Sequence, residues 1–86
     1  ILSFPMPGWT LAIDIPANHP KLAEFCETLD QFLIEVGGRV YLTKDSVLTP
    51  SNFRAMYPRF EEWKTVKSQV DKSNLWISDQ SRRLEL

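Results

Sequence analysis

The chain of 86 residues is poor in the residue types that build disulfides, metal sites and nucleic-acid interfaces. Its one cysteine, Cys26, excludes an internal disulfide, and its one histidine, His19, has no second ligand nearby to hold a metal ion. A formal net charge of −1 does not provide the basic surface that binding to a phosphate backbone requires, so nucleic acid is not an expected partner. No apolar run approaches the roughly 20 residues of a membrane-spanning helix.

The length allows one domain at most, because a chain of this size buries only about 60 to 65% of its unfolded surface. The chain begins at Ile1, inside an apolar run that ends at Phe4. We therefore expect residues 1–86 to be a single fragment of a longer protein. A lone cysteine suits a reducing compartment. We expect a cytoplasmic protein, with any membrane association coming through the parent chain.

Alternation of apolar and polar residues predicts two short strands. In the first, residues 9–15, one face is apolar: Trp9, Leu11, Ile13 and Ile15. The second, residues 39–43, follows Gly37 and Gly38, which supply the left-handed conformation that ends many helices. In this strand Val40 and Leu42 alternate with Tyr41 and Thr43.

Spacings of three and four residues predict helices elsewhere. The first, capped by Asn18 or His19, carries one apolar stripe: Leu22, Phe25, Cys26, Leu29, Phe32, Leu33 and Val36. The second begins at Thr49-Pro50 and buries Phe53, Met56 and Tyr57. Pro58 breaks it, a third helix covers residues 59–70, and Ser78-Asp79 caps a last polar helix.

These elements predict an α+β fold, with a small, incomplete antiparallel or mixed sheet that helices cover on one face. The open face then carries small and polar side chains: Thr10, Ala12, Asp14, Tyr41 and Thr43. Two strands alone are poorly stable, because their edges keep unpaired N–H and C=O groups. The missing strands come either from the rest of the protein or from a homodimer that pairs the exposed edges.

Several short motifs occur in the same order as in one known family. They are Phe4-Pro5-Met6-Pro7-Gly8-Trp9, Gly37-Gly38-Arg39, Lys44-Asp45-Ser46, Ala55-Met56-Tyr57-Pro58, Glu62-Trp63, Ser78-Asp79 and Arg82-Arg83-Leu84-Glu85-Leu86. On these motifs the chain resembles the C-terminal segment of the FAD-linked oxidases related to decaprenylphosphoryl-β-D-ribose 2-oxidase. The resemblance covers nearly all of the sequence.

The resemblance implies a flavoenzyme of the vanillyl-alcohol oxidase type, which oxidises a sugar or polyprenyl-phosphosugar hydroxyl by hydride transfer to FAD. Residues 1–86 would be the C-terminal part of its substrate domain, which lies over the flavin. The N-terminal FAD-binding domain is absent from this chain and would be its main partner. The isolated fragment, without a glycine-rich cradle for the FAD pyrophosphate, is predicted to be inactive and not to bind FAD tightly.

The resemblance also assigns site residues. Lys44 matches a lysine near flavin and substrate, and an ammonium there stabilises the negative charge of a flavin that has accepted a hydride. Tyr41, Thr10 and Ala12 match positions that line the substrate pocket. The best-known members carry asparagine and cysteine at positions 10 and 12, which leaves the substrate open. Strict alternation puts Lys44 on the face opposite Tyr41, unless the strand ends or bulges near Thr43.

Without the resemblance, other interpretations of the same residues remain. A lysine at the end of a strand is usually a solvated surface residue, and a strand tyrosine is usually half-buried packing. The chain would then be a free-standing α+β module that binds a ligand or a second copy of itself without catalysis. Arg82 and Arg83 would complement the C-terminal end of the last helix or meet a phosphate.

Overall fold

A computed structural model describes residues 1–86 and contains four helices and no β-strand. The helices are α1 (Leu22–Glu35), α2 (Pro50–Met56), α3 (Phe60–Val70) and α4 (Asp79–Leu84). The predicted α+β class, with its small sheet, is therefore wrong. Extended or irregular segments stand where both strands were predicted.

The first predicted strand, residues 9–15, is extended but has no partner. No residue before Pro16 takes part in a hydrogen bond between backbone groups. Its apolar face is also open to solvent, with Trp9, Leu11 and Ile13 exposed by 105%, 80% and 51%. A strand exists only where a neighbour accepts its N–H groups and donates to its C=O groups, and these 86 residues supply no such neighbour.

Helix α1 begins later than predicted and ends as predicted. Lys21 is its N-cap residue, and the ring of His19 accepts a hydrogen bond from the Lys21 N–H at 3.2 Å. At the other end, Gly37 has a left-handed φ of +71°, and the Gly38 N–H donates to the Leu33 carbonyl at 2.7 Å. This pairing is typical of a glycine-terminated helix, and it turns the chain back toward the core.

The buried side of α1 is not the predicted apolar stripe. Phe25, Phe32 and Val36 are exposed by 46%, 59% and 61%, whereas Asp30 is the helix's one fully buried residue. Only the C-terminal part of the stripe packs on the core, through Leu33 and its neighbour Ile34. The side of α1 that faces α2 is therefore largely polar, and three of the seven residues of the apolar stripe are left exposed within these 86 residues.

Helices α2 and α3 form as predicted. The Thr49 hydroxyl accepts a hydrogen bond from the Asn52 N–H, and Pro50 occupies the first turn, where its missing N–H costs nothing. Pro58 separates the two helices. Of the apolar residues of α3, only Phe60 is buried, while Val66 and Val70 are exposed.

The core is small and lies where α2, α3 and α4 meet. It consists of six buried apolar residues: Leu48, Phe53, Met56, Tyr57, Phe60 and Leu84. The Phe53 ring is central, at 5.0 Å from the Tyr57 ring and 5.5 Å from the Phe60 ring between centroids. Offset and edge-on aromatic pairs at such distances add stability beyond the area they bury. This cluster supports the loop between α1 and α2.

Helix α4 closes the core and carries the C-terminal end of the chain. Ser78 is the N-cap residue of α4. The Ser78 hydroxyl accepts a hydrogen bond from the Ser81 N–H at 3.1 Å, and the Ser81 hydroxyl accepts one from the Ser78 N–H at 2.7 Å. This reciprocal capping confirms the predicted helix start. Leu84, at its last turn, is fully buried.

The surface is large for the mass of the chain. The accessible area is 6683 Å², against about 5,200 Å² for a compact monomer of 10.0 kDa. The radius of gyration is 14.2 Å, against about 12 Å for a compact domain of this length. Both values reflect the extended N-terminal segment and the uncovered apolar side chains.

None of the four helices combines the length and the apolar character needed to cross a lipid bilayer.

Candidate functional site

Tyr41 and Lys44 lie at the two ends of one tight turn. The Lys44 N–H donates to the Tyr41 carbonyl at 2.9 Å, which closes a four-residue turn where the second strand was predicted. The alternation argument, which placed the two residues on opposite faces, therefore does not apply, because the backbone is not a strand here. We call residues 41–44 the Tyr41–Lys44 turn.

Both side chains at the turn are available to a ligand. Tyr41 is exposed by 46%, its ring packs on the Phe4 ring at 4.9 Å between centroids, and its hydroxyl makes no hydrogen bond within the chain. Lys44 is exposed and its amine makes no ion pair or hydrogen bond. Lys64 and Lys72 are also unpaired and exposed, so what distinguishes Lys44 is its place in one four-residue turn with Tyr41.

Tyr57 supports the turn from the core side. Its hydroxyl donates to the carbonyl of Val40, the residue before the turn, at 2.6 Å. Burial raises the pKa of the Tyr57 phenol, an effect that the nearby Arg39 charge opposes and that of Asp45 reinforces. The hydroxyl therefore stays protonated, and able to donate, throughout the neutral range.

Arg39 links the same segment to the N-terminus. Its guanidinium lies 5.3 Å from the centre of the Tyr57 ring and donates from Nη1 to the Ser3 carbonyl at 2.7 Å. This bond holds the N-terminal segment beside the turn, where Phe4 reaches Tyr41. The Nε atom of Arg39 is buried and has no partner within these 86 residues.

Helix α4 holds the other side of the turn. The Gln80 side-chain amide donates to the Leu42 carbonyl inside the turn and to a carboxylate oxygen of Asp45 at 2.9 Å. Arg83 donates to the Asp45 carboxylate and to the Asp45 carbonyl, each at 2.8 Å, and to the Leu48 carbonyl at 3.2 Å. The Asp45 side chain is only 8% exposed. Gln80, Arg83 and Asp45 thus fix the backbone on the C-terminal side of Lys44.

Thr10 and Ala12 are not joined to the turn. Both are exposed in the extended N-terminal segment, and no hydrogen bond links Thr10 to Tyr41 or Lys44. The structure therefore brings together two of the four predicted site residues. The predicted open face, made of side chains from two paired strands, does not exist as such.

A second polar cluster joins α1 to α2 through Asn52, which is 5% exposed. Its side-chain amide donates to Glu27 at 3.0 Å and to Asp30 at 3.2 Å, and its oxygen accepts from Gln31 at 3.2 Å. Burial raises the pKa of Asp30; the Asn52 hydrogen bond opposes this effect, and the charge of Glu27 adds to it. The amide groups satisfy one another and both acids, which is typical of a structural junction.

No group of three or more His, Cys, Asp or Glu side chains is arranged to hold a metal ion.

Sequence reasoning missed the residues that hold the turn: Arg39, Asp45, Tyr57, Gln80 and Arg83. Asp45 and Arg83 are 38 positions apart, and the Gln80 contact with Leu42 spans the same separation. No local spacing rule pairs residues so distant. Arg82 and Arg83 were expected to complement a helix end or to meet a phosphate. Arg83 instead binds the Asp45 carboxylate. Arg82 pairs with Asp79 at 2.7 Å within α4.

Comparison with protein-family models gives a match over residues 11–84, to D-arabinono-1,4-lactone oxidase. The chain belongs to this family of FAD-linked oxidases. The match includes Ala12, Tyr41 and Lys44, and it runs through α4. The resemblance inferred from the sequence motifs is thereby confirmed.

Comparison with individual proteins gives two relatives that match nearly the whole chain. The chain is 46% identical over 85 residues to a decaprenylphosphoryl-beta-D-ribose oxidase from Mycolicibacterium smegmatis, which covers 99% of this chain and 18% of that protein. It is 39% identical over 85 residues to an uncharacterised protein in the mprA 5′ region of Streptomyces coelicolor. That match covers 99% of this chain and 23% of the Streptomyces protein. The chain thus spans about a fifth of the length of these relatives.

Proposed function

We propose that this chain is the C-terminal part of the substrate domain of an FAD-dependent oxidoreductase that oxidises a sugar or polyprenyl-phosphosugar hydroxyl. The observation that carries this proposal is the 46% identity, over 99% of the chain, to a protein named as a decaprenylphosphoryl-beta-D-ribose oxidase. The remaining four-fifths of such a protein would include the FAD-binding domain, which becomes the chief partner of this chain.

The open surface of the chain supports a role inside a larger protein. The accessible area exceeds that of a compact monomer of the same mass by more than a quarter. The excess includes large apolar side chains that a free-standing domain normally covers, such as Trp9, Leu11 and Trp76. In the proposed enzyme these surfaces would lie against the rest of the polypeptide.

The two groups at the Tyr41–Lys44 turn fit a flavin and a hydroxylated substrate. Bound FAD would supply the acceptor for the hydride that leaves the carbinol carbon of the substrate. The Lys44 ammonium, free of any internal partner, would hold the negative edge of the cofactor and stabilise the charge that develops there. The turn fixes the backbone that carries Lys44, which would limit reorganisation during the reaction to the lysine side chain itself.

Tyr41 would orient the substrate. A phenol is both a hydrogen-bond donor and an acceptor, so Tyr41 would orient a substrate hydroxyl by hydrogen bonding rather than act as a base. Packing on the Phe4 ring would help to position the Tyr41 ring. Thr10 and Ala12 would line the pocket only once the extended N-terminal segment is held by the rest of the enzyme.

Replacement of Lys44 by methionine in the complete flavoenzyme tests this proposal. Methionine keeps the length of the side chain and removes the charge, so the rate of flavin reduction by sugar substrates should fall by about 100 to 1000-fold. Stopped-flow absorbance of the flavin measures this rate. Lys64→Met, at an exposed and unpaired lysine of α3, is the matched control and should leave the rate unchanged. Equal rates in the two variants would remove Lys44 from the mechanism.

A flavin titration of the 86-residue chain tests the division of labour between domains. The chain contains only three glycines and no glycine-rich phosphate loop, so it should not bind FAD tightly. Micromolar or tighter binding, measured by quenching of flavin fluorescence, would contradict the assignment of FAD binding to another domain.

A further inference from the structure

The contacts between α4 and the Tyr41–Lys44 turn are unusually complete for a surface loop. Arg83 and Gln80 together reach three carbonyl oxygens of the loop, those of Leu42, Asp45 and Leu48. Both also bind the Asp45 carboxylate, through different oxygens. Two side chains of one helix therefore make five hydrogen bonds to three residues within a stretch of seven, residues 42–48.

The chemistry of these contacts favours a fixed backbone. Asp45 is 7% exposed, so its carboxylate oxygens need hydrogen-bond donors from the protein in place of water. The planar guanidinium of Arg83 supplies two nitrogens at fixed angles, which a lysine does not. Such a fork holds the carboxylate and the carbonyl of Asp45 at once, and so defines the backbone directly after Lys44.

We propose that Arg83 and Gln80 of α4 are positioning residues, which set the geometry of the Tyr41–Lys44 turn in the reacting enzyme. The contacts of both side chains are with Leu42, Asp45 and Leu48 of the loop. They act through the backbone that carries Tyr41 and Lys44, so the C-terminal helix governs the alignment of the site. This inference rests on the proposed function for its effect on turnover, but its structural part stands on the contacts alone.

The test compares Arg83→Gln with Arg82→Gln in the complete flavoenzyme. The two arginines are neighbours on α4, but Arg82 pairs only with Asp79 on the surface of its own helix. Because a displacement of about 1 Å can cost a hundredfold in rate, Arg83→Gln should lower the rate of flavin reduction at least tenfold. Arg82→Gln should leave it unchanged. Arg83→Lys keeps the charge without the fork and should give an intermediate rate.

Hydrogen–deuterium exchange provides a readout that does not depend on activity. The Lys44 and Leu48 N–H groups donate to the Tyr41 and Asp45 carbonyls, and these bonds should open more often without the Arg83 guanidinium. Peptides covering residues 41–48 should exchange faster in Arg83→Gln than in Arg82→Gln, while α1 and α2 peptides stay as in the unmodified enzyme.

The positioning role also predicts coupling to Lys44. In a Lys44→Met background, Arg83→Gln should lower the rate by a smaller factor than in the unmodified enzyme, because one of the two groups that it aligns is gone. Unchanged exchange over residues 41–48 in Arg83→Gln would overturn the inference. So would faster exchange with an unchanged rate, provided that Lys44→Met is impaired. If Lys44→Met retains full activity, the proposed function of Lys44 fails, and the exchange measurement alone decides whether α4 holds the turn.

Discussion

The hydroxyl of Tyr57 offers a sharp test of how the core supports the candidate site. Tyr57 is 1% exposed, and its hydroxyl donates to the Val40 carbonyl at 2.6 Å. Tyr57→Phe removes one oxygen atom and keeps the ring, together with its contacts to Phe53 and to the Arg39 guanidinium. The change therefore isolates one hydrogen bond between the core and the segment that leads into the turn.

The expected loss follows from what the substitution leaves behind. A hydrogen bond contributes about 1 kcal/mol net, and a partly buried carbonyl left without a donor adds a desolvation penalty, so Tyr57→Phe should cost about 1–2 kcal/mol. For a chain of this size each kcal/mol lowers Tm by about 4–8 °C. Urea unfolding of the chain, followed by far-ultraviolet circular dichroism, measures the free energy of unfolding.

Tyr41→Phe is the matched control, because it makes the same chemical change at a hydroxyl that has no partner in the chain. We expect it to alter the free energy of unfolding by less than about 0.5 kcal/mol. For substrate binding by the complete enzyme we expect the opposite order: Tyr41→Phe should weaken binding more than Tyr57→Phe does. Equal stability losses for the two variants would refute the assignment of the Tyr57 hydroxyl as a support of the turn.

Two further predictions concern acidic residues whose pKa values shift in opposite directions. Burial raises the pKa of Asp30, so its ionised carboxylate destabilises the folded state at neutral pH. This destabilisation disappears below the unfolded pKa of about 3.9. Asp30→Asn should therefore raise Tm at neutral pH and leave Tm unchanged near about pH 3. The Lys67 hydrogen bond lowers the pKa of Asp71, so its stabilisation is present above the unfolded pKa and is lost as pH falls through the folded one. Asp71→Asn should lower Tm at neutral pH, and the difference in Tm from the unmodified chain should narrow in acid. Thermal melts of both variants across pH measure these changes. Tm differences that do not depend on pH would contradict the two assignments.

Helix boundaries and caps could be predicted because they depend on neighbours in the sequence. The Thr49 cap before Pro50, the Ser78 cap and the left-handed Gly37 all involve contacts across a few residues, where spacing rules apply. The buried set of α2, with Phe53 and Met56, follows from the same periodicity. The family resemblance was also readable, because it depends on the order of short motifs.

The predicted sheet was wrong because strand formation is not local. Alternation at residues 9–15 describes a segment able to pair, but pairing requires a second backbone, and none of these 86 residues supplies one. For the same reason the apolar stripe of α1 did not identify its buried side. Phe25 and Phe32 remain exposed where no other element covers them, while Asp30 is buried against Asn52 of α2.

The sequence by itself determined most helix boundaries, which family the chain belongs to, and that Tyr41 and Lys44 lie three residues apart. Only the tertiary structure decided that these two side chains share a turn and that α4 holds its backbone through Asp45 and Arg83. The reason is physical: caps and helical periodicity arise from contacts within a few residues, whereas a partly buried ion pair across 38 positions forms only when the whole chain has folded.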